Sequence, residues 1–117
     1  MALIRIKNIR HKAIIGVNDW ERTTKQDVII NVTFEYDDSA AVDADSIDEA
    51  VDYRAMTKAI VDHMDKNSFF LLETLSASIL DLIMRDKRVK NATVEVDKPG
   101  SVRFADSISV QQSSGRS

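Results

Sequence analysis

The amino-acid sequence predicts an α+β domain, an antiparallel sheet with two helices packed on one face. Three observations lead there. Segments 27–36 (DVIINVTFEY) and 91–98 (NATVEVDK) alternate apolar and polar residues with the period of half-buried strands. Two central segments carry apolar residues at helical spacing. The order along the chain is strand, strand, helix, helix, strand, strand, which is ββααββ.

Residues 2–15 set isolated apolar positions, Ile4, Ile6 and Ile9, among basic ones, as a first strand would. The connection GVNDWERTTKQ has the Gly, Asn and Asp of a long hairpin loop, but Trp20 is large for an exposed tip, so this loop is expected to touch something. In the second strand Val28, Ile30, Val32, Phe34 and Tyr36 share one face. After the acidic connector DDSAAVDADSIDEAVD, Asp52 is placed to cap a helix over 53–64, with Met56, Ala59, Ile60 and Met64 on its apolar stripe. A second helix over 70–85 repeats the pattern with Leu72, Leu75, Ile79, Leu82 and Ile83. The third strand ends in Lys98 and turns through the only proline, Pro99, and Gly100, and a last strand is expected over 105–111. Residues 1–112 therefore make one domain, and 113–117 a polar tail expected to be disordered.

Composition removes several classes of function. A chain of 117 residues fits a single hydrophobic core without staples. Its net charge is −3 and its acidic residues bunch in one connector, so the basic footprint of a nucleic-acid binder is missing. With no cysteine there is no disulfide framework, thiolate nucleophile or sulfur-based zinc site, which is compatible with a reducing cytoplasm. The start MALIRIKNIRHKAIIG places a basic residue every few positions where a signal peptide needs an apolar run, and no segment approaches a membrane span, so a soluble cytoplasmic protein is expected. His11 and His63 have no metal-ligand spacing. The three glycines leave no room for a dinucleotide fingerprint or P-loop, and no GxSxG occurs.

The second strand turns Ile29, Asn31, Thr33 and Glu35 away from the core, a face polar enough to be solvated. A four-stranded open sheet also leaves two edges that natural proteins cover, and edge pairing into a ring would cover both. A sparse set of polar residues remains at element ends: Glu21, Tyr53, Glu73 and Lys98. Each has an ordinary structural role available. Glu73 suits the positive end of a helix dipole, Tyr53 can anchor its helix, and Glu21 and Lys98 can be solvated loop charges. The turn after residue 98 needs Pro99 and Gly100; it does not need Lys98.

Taken together, GVNDWE, DYR, SFFLLE and VDKPGSV occur in an order and spacing that resemble the dihydroneopterin aldolase family, with its dihydroneopterin triphosphate 2'-epimerase relatives. The resemblance runs from the first strand to Val110. It implies the tunnelling fold, in which ββααββ subunits join their sheets edge to edge into a barrel with the helices outside. It also implies a homo-octamer of two stacked tetramers, with active sites between subunits.

By the same resemblance Glu73 is the pterin anchor, a carboxylate that accepts two parallel N–H bonds from the aminopyrimidinone edge, with Leu72 and Tyr53 as further substrate contacts. Retro-aldol cleavage between C1' and C2' requires removal of the 2'-hydroxyl proton and a sink for an electron pair. The dihydropterin's own C6=N5 imine is such a sink, so the implied chemistry calls for acid–base groups and neither cofactor nor metal. Lys98, through an ordered water, and Tyr53 would handle protons, with Glu21 orienting substrate or water. A lysine in this role must lose much of its basicity, which desolvation at a subunit interface could supply.

Within the family, GVNDWE and KPG look like the aldolases, although Asn18 stands where many have tyrosine, whereas DYRAMTKAI and VRFADSISV resemble the epimerases more. The two activities differ in whether the cleaved fragment is released or retained, turned and re-added. Arg54, Lys58 and Arg103 are candidate phosphate ligands; the alternative is that Arg54 and Lys58 are solvated helix charges paired with Asp62. The expected function is the epimerase, with the aldolase as alternative and a non-catalytic pterin-binding ring as a remote third.

Overall fold

A computed structural model describes residues 1–116. Five strands form one sheet: β1 (Ala2–Ile15), β2 (Gln26–Tyr36), β3 (Ser68–Phe69), β4 (Val89–Pro99) and β5 (Ser107–Gly115), in the order β3-β1-β2-β4-β5. All pairings are antiparallel except the short parallel one that sets Ile14 and Ile15 against Ser68 and Phe69. A six-residue helix, α1 (Ser39–Ala44), and a 3-10 turn at Ile47–Glu49 fill the acidic connector; they are followed by α2 (Tyr53–Lys66) and α3 (Leu72–Met84).

The alternation of β2 is realised without a break, since Val28, Ile30, Val32, Phe34 and Tyr36 are all buried. They meet Ala92, Val94 and Val96 of β4, Met56, Ile60 and Met64 of α2, and Leu75, Ile79 and Ile83 of α3 in one core. α2 packs over β1, and α3 packs over β4 and β5, so both helices cover the same face. Asp52 caps α2 as expected, its carboxylate accepting the Ala55 N–H at 3.0 Å.

β1 alternates less cleanly because it is bulged. Its register against β2 shifts between Ile6 and Ile9, and Asn8 takes a left-handed φ of 56°. Asn31 across the strand accepts the Asn8 N–H at 2.8 Å and returns a bond to the Asn8 side chain at 3.2 Å. The extra residue moves the inward phase from Ile4 and Ile6 to Ile9, Ala13 and Ile15.

Three expectations are corrected. α3 begins at Leu72 rather than residue 70, because Ser68 and Phe69 are taken into the sheet. The last strand spans Ser107–Gly115 instead of 105–111: Gly100 and Phe104 at positive φ (68° and 76°) lengthen the turn before it. Residues 113–115 are therefore sheet and not a disordered tail; Thr93 meets Ser113 at 2.9 Å, and Arg116 donates to the Val89 carbonyl at 2.8 Å. Ser117 lies outside the described residues.

Phe34 has no exposed surface. Phe34→Ala should cost about 3–5 kcal/mol in urea unfolding, from lost transfer energy plus a cavity. Chain concentration must be held fixed, since any self-association adds to apparent stability.

Candidate active site

Lys98 continues the inward phase of β4 after Val94 and Val96, and this puts a charged side chain at the rim of the core. It is only 9 % exposed, and Glu21, which receives it, only 5 %. The Lys98 Nζ lies 2.5 Å from Glu21 Oε2. An ion pair this desolvated persists only when the remaining hydrogen-bonding capacity is filled.

That capacity comes from the loop after β1. Glu21 lies in a 3-10 turn, Asp19–Arg22, that starts at Asn18. Its Oε1 accepts Asn18 Nδ2 at 2.8 Å and the Asn18 backbone N–H at 3.2 Å. Its Oε2 accepts Gln26 Nε2 at 3.0 Å as well as Lys98, and the same Gln26 amide also donates to the Ile15 carbonyl at 2.7 Å. The Lys98 hydrogen bond first, then that from Gln26, hold the Glu21 carboxyl down at about 2 against the opposing effect of burial. Gly16 has φ 135°, and any Cβ there would overlap the Glu21 carboxylate, so glycine is needed for space as well as for conformation.

Glu73 belongs to the same end of the sheet. Phe69 pairs with Ile15, the next strand residue before Gly16, and the chain then enters α3 at Leu72 and Glu73. Leu72 is half-buried, while Glu73 is exposed in the first helical turn. Among the described residues its carboxylate has no hydrogen-bond partner, and no side chain caps this helix start. A free acceptor thus stands beside unsatisfied backbone N–H groups, which suits a ligand that both donates and accepts.

Tyr53 does not join them. It is an exposed residue at the start of α2, bordering an open groove of about 430 Å³ lined by Leu3 to Lys7 of β1. Ile4 of that groove pairs with Phe34, whereas Lys98 lies one residue past the Asp97–Ile29 pair. Six residues of β2, roughly 20 Å, separate the two levels. Arg54 and Lys58 are exposed on α2 at the Tyr53 end, whereas Arg103 is in the β4–β5 connection at the Lys98 end, its guanidinium 5.0 Å from the Phe104 ring centroid. One chain thus pairs Glu21 with Lys98 and starts α3, with Leu72 and Glu73, from the strand paired beside their loop, and keeps Tyr53, Arg54 and Lys58 at the other level. No ion pair joins Asp62 to Arg54 or Lys58 among the described residues. Nor is any cluster of three His, Cys, Asp or Glu placed to hold a metal among them. Among the described residues no helix is long and apolar enough to cross a membrane.

Gln26 has no mark in the sequence, and Gly16 and Asn18 read there only as turn residues, although Asn-x-x-Glu is a readable helix-start signature.

A family model described as dihydroneopterin aldolase matches residues 4–113. A Pseudomonas aeruginosa dihydroneopterin triphosphate 2'-epimerase is 46 % identical over 110 residues, 94 % of this chain and 89 % of the relative. The Escherichia coli protein of the same name is 41 % identical over 109 residues, 93 % of this chain and 91 % of the relative. Among solved structures, Escherichia coli dihydroneopterin aldolase in complex with neopterin has a TM-score of 0.92 and 23 % identity, covering 98 % of this chain and all of its own.

A folded pKa below the ordinary carboxyl value means that the Glu21 contribution to stability is complete above about pH 4.5 and disappears as pH falls toward about 2. Glu21→Gln should therefore lower stability at neutral pH by about 3 kcal/mol or more, by stranding the Lys98 ammonium. It should also flatten the acid limb between those two pH values, as read by urea unfolding across a pH series.

Proposed function

The chain belongs to the dihydroneopterin aldolase family and carries its tunnelling fold, and we propose that it is a dihydroneopterin triphosphate 2'-epimerase, inverting C2' of 7,8-dihydroneopterin triphosphate to give 7,8-dihydromonapterin triphosphate. The observation that carries this reading is a contrast within one organism. The chain is 41 % identical over 109 residues to the Escherichia coli epimerase and 24 % identical over 110 residues to the Escherichia coli aldolase.

On this reading Glu73 binds the aminopyrimidinone edge of the ring beside the half-buried Leu72. A water held by Lys98, together with Tyr53, takes up the 2'-hydroxyl proton and returns it on re-addition. The C1'–C2' bond breaks, C2' becomes an aldehyde carbon, and the electron pair moves through C1' and C6 onto N5, which takes up a proton. Rotation of the retained glycolaldehyde triphosphate and re-addition invert C2'. Glu21 has all its acceptor positions engaged, so it serves this chemistry by holding Lys98.

The separation of Tyr53 from Lys98 within one chain supports a site completed by another copy, in a ring joined through β5 and the part of β1 that the short β3 leaves uncovered, and stacked as an octamer. The shape supports it too: a Cα radius of gyration of 15.5 Å exceeds the about 13 Å of a compact domain of this length. Arg54 and Lys58 of one copy would then approach Arg103 of another around the triphosphate. A cytoplasmic location belongs to the same reading.

Lys98→Ala should lower turnover by about 100-fold or more with little change in pterin affinity, and Glu73→Ala should weaken binding first. The reverse pattern would exchange their roles. Chromatography of products from the triphosphate and from unphosphorylated dihydroneopterin tests the substrate. Epimer from the triphosphate should dominate, and added salt should weaken the triphosphate more than the free substrate. Rapid release of 6-hydroxymethyl-7,8-dihydropterin and glycolaldehyde, with little epimer, would move the assignment to the aldolase.

A further inference from the structure

Arg22 takes no part in the chemistry above, yet its contacts cross from one segment of the site to the other. Its Nη1 donates to the Gly16 carbonyl at 2.9 Å and to the Phe69 carbonyl at 2.7 Å, and its guanidinium sits 3.8 Å from the Phe70 ring centroid. The Gly16 N–H closes the same junction by donating to the Phe69 carbonyl at 3.1 Å. Gly16 and Arg22 bracket the turn that holds Glu21, while Phe69 and Phe70 lead directly into Leu72 and Glu73.

Two carbonyl oxygens converging on one point repel each other unless a donor stands between them. A guanidinium can supply in-plane hydrogens to both and at the same time lay its face on an aromatic ring; a lysine ammonium lacks the plane. We propose that Arg22 is a positioning residue, a strap that fixes the spacing between Lys98, as Glu21 holds it, and the Leu72–Glu73 ring anchor. This rests on the roles assigned to those residues under the proposed function. A substrate held by its ring on one segment and deprotonated from the other is sensitive to that spacing, and a shift of about 1 Å costs on the order of 100-fold in rate. Contacts to the bare ring lie on one segment only and are insensitive to it.

Arg22→Ala and Arg22→Lys in the full chain test the strap. In Arg22→Ala, kcat should fall about tenfold or more, while the Kd for pterin without a side chain changes less than about threefold. Arg22→Lys should lie between this variant and the parent, because it keeps a donor and loses the stacking plane. Trp20 is the only tryptophan and lies in the same turn, so its fluorescence anisotropy reads the strap without any substrate, and it should drop in Arg22→Ala. A kcat within about twofold of the parent, or kcat and ring affinity falling together in step with folded fraction by circular dichroism, overturns the proposal. If Arg22→Ala does not fold, the same comparison is made with Arg22→Lys. If the parent turns over neither dihydropterin, the functional assignment fails by itself; unchanged Trp20 anisotropy in the variant then overturns the strap.

Discussion

The buried ion pair between Lys98 and Glu21 is the constraint around which one end of the molecule is built. Desolvating two charges costs several kcal/mol per ion unless each finds its full complement of partners. The surrounding sequence supplies that complement for Glu21: Asn18 and Gln26 complete the carboxylate, and Gly16 leaves room for it. Lys98 arrives there because β4 keeps its inward phase for one step past Val96, and Pro99 is at the last position of the strand, where a missing N–H is tolerated. The 3-10 turn, the positive φ of Gly16 and the strand end are therefore parts of one arrangement.

That arrangement explains why the β1–β2 connection is ordered. A loop of this length usually follows its own turn preferences, but here it is pinned from three sides, by Lys98 below, by the Gln26 amide at the start of β2, and by the Phe69 carbonyl through Gly16 and Arg22. Trp20 remains 57 % exposed and Phe70 60 %, with Val17 and Leu71 also exposed nearby in sequence. These exposed apolar side chains lie in the two segments that carry Glu21 and Glu73, and are of the type a ligand or a second subunit would cover.

How much could be read from the sequence follows the range of the forces involved. β2 and β4 were legible because period-two burial is written residue by residue in Val28 to Tyr36 and Ala92 to Val96. β1 was only partly legible because the Asn8 bulge changes the phase midway, and no local pattern announces that Asn31, 23 positions away, will stabilise it. The tail was misread because β5 is mostly polar: Ser113 and Ser114 are held by ladder bonds to β4, which composition does not reveal. Glu21, Lys98, Glu73 and Tyr53 came from motif order, a signal that gives identity without geometry. The pairing of Glu21 with Lys98 spans 77 positions, and the separation of Tyr53 from both depends on sheet register; neither is written in any local window.

A site divided between copies ties catalysis to assembly. On the proposed reading Arg103 is the phosphate candidate at the Lys98 end, since the Arg22 guanidinium is already engaged by two carbonyls and an aromatic face. The remaining cations, Arg54 and Lys58, must then come with Tyr53 from a neighbour. A ligand that binds only the assembled form stabilises it by mass action, so substrate and subunit contacts reinforce each other. Retention of the cleaved fragment would have the same origin: phosphates gripped by cations from two subunits would keep the aldehyde in place long enough to turn and re-add. A fragment without phosphates has no such grip and leaves. The balance between inversion and release would then depend less on Lys98 and Glu21, which both reactions use alike, than on charges brought to them across the interface.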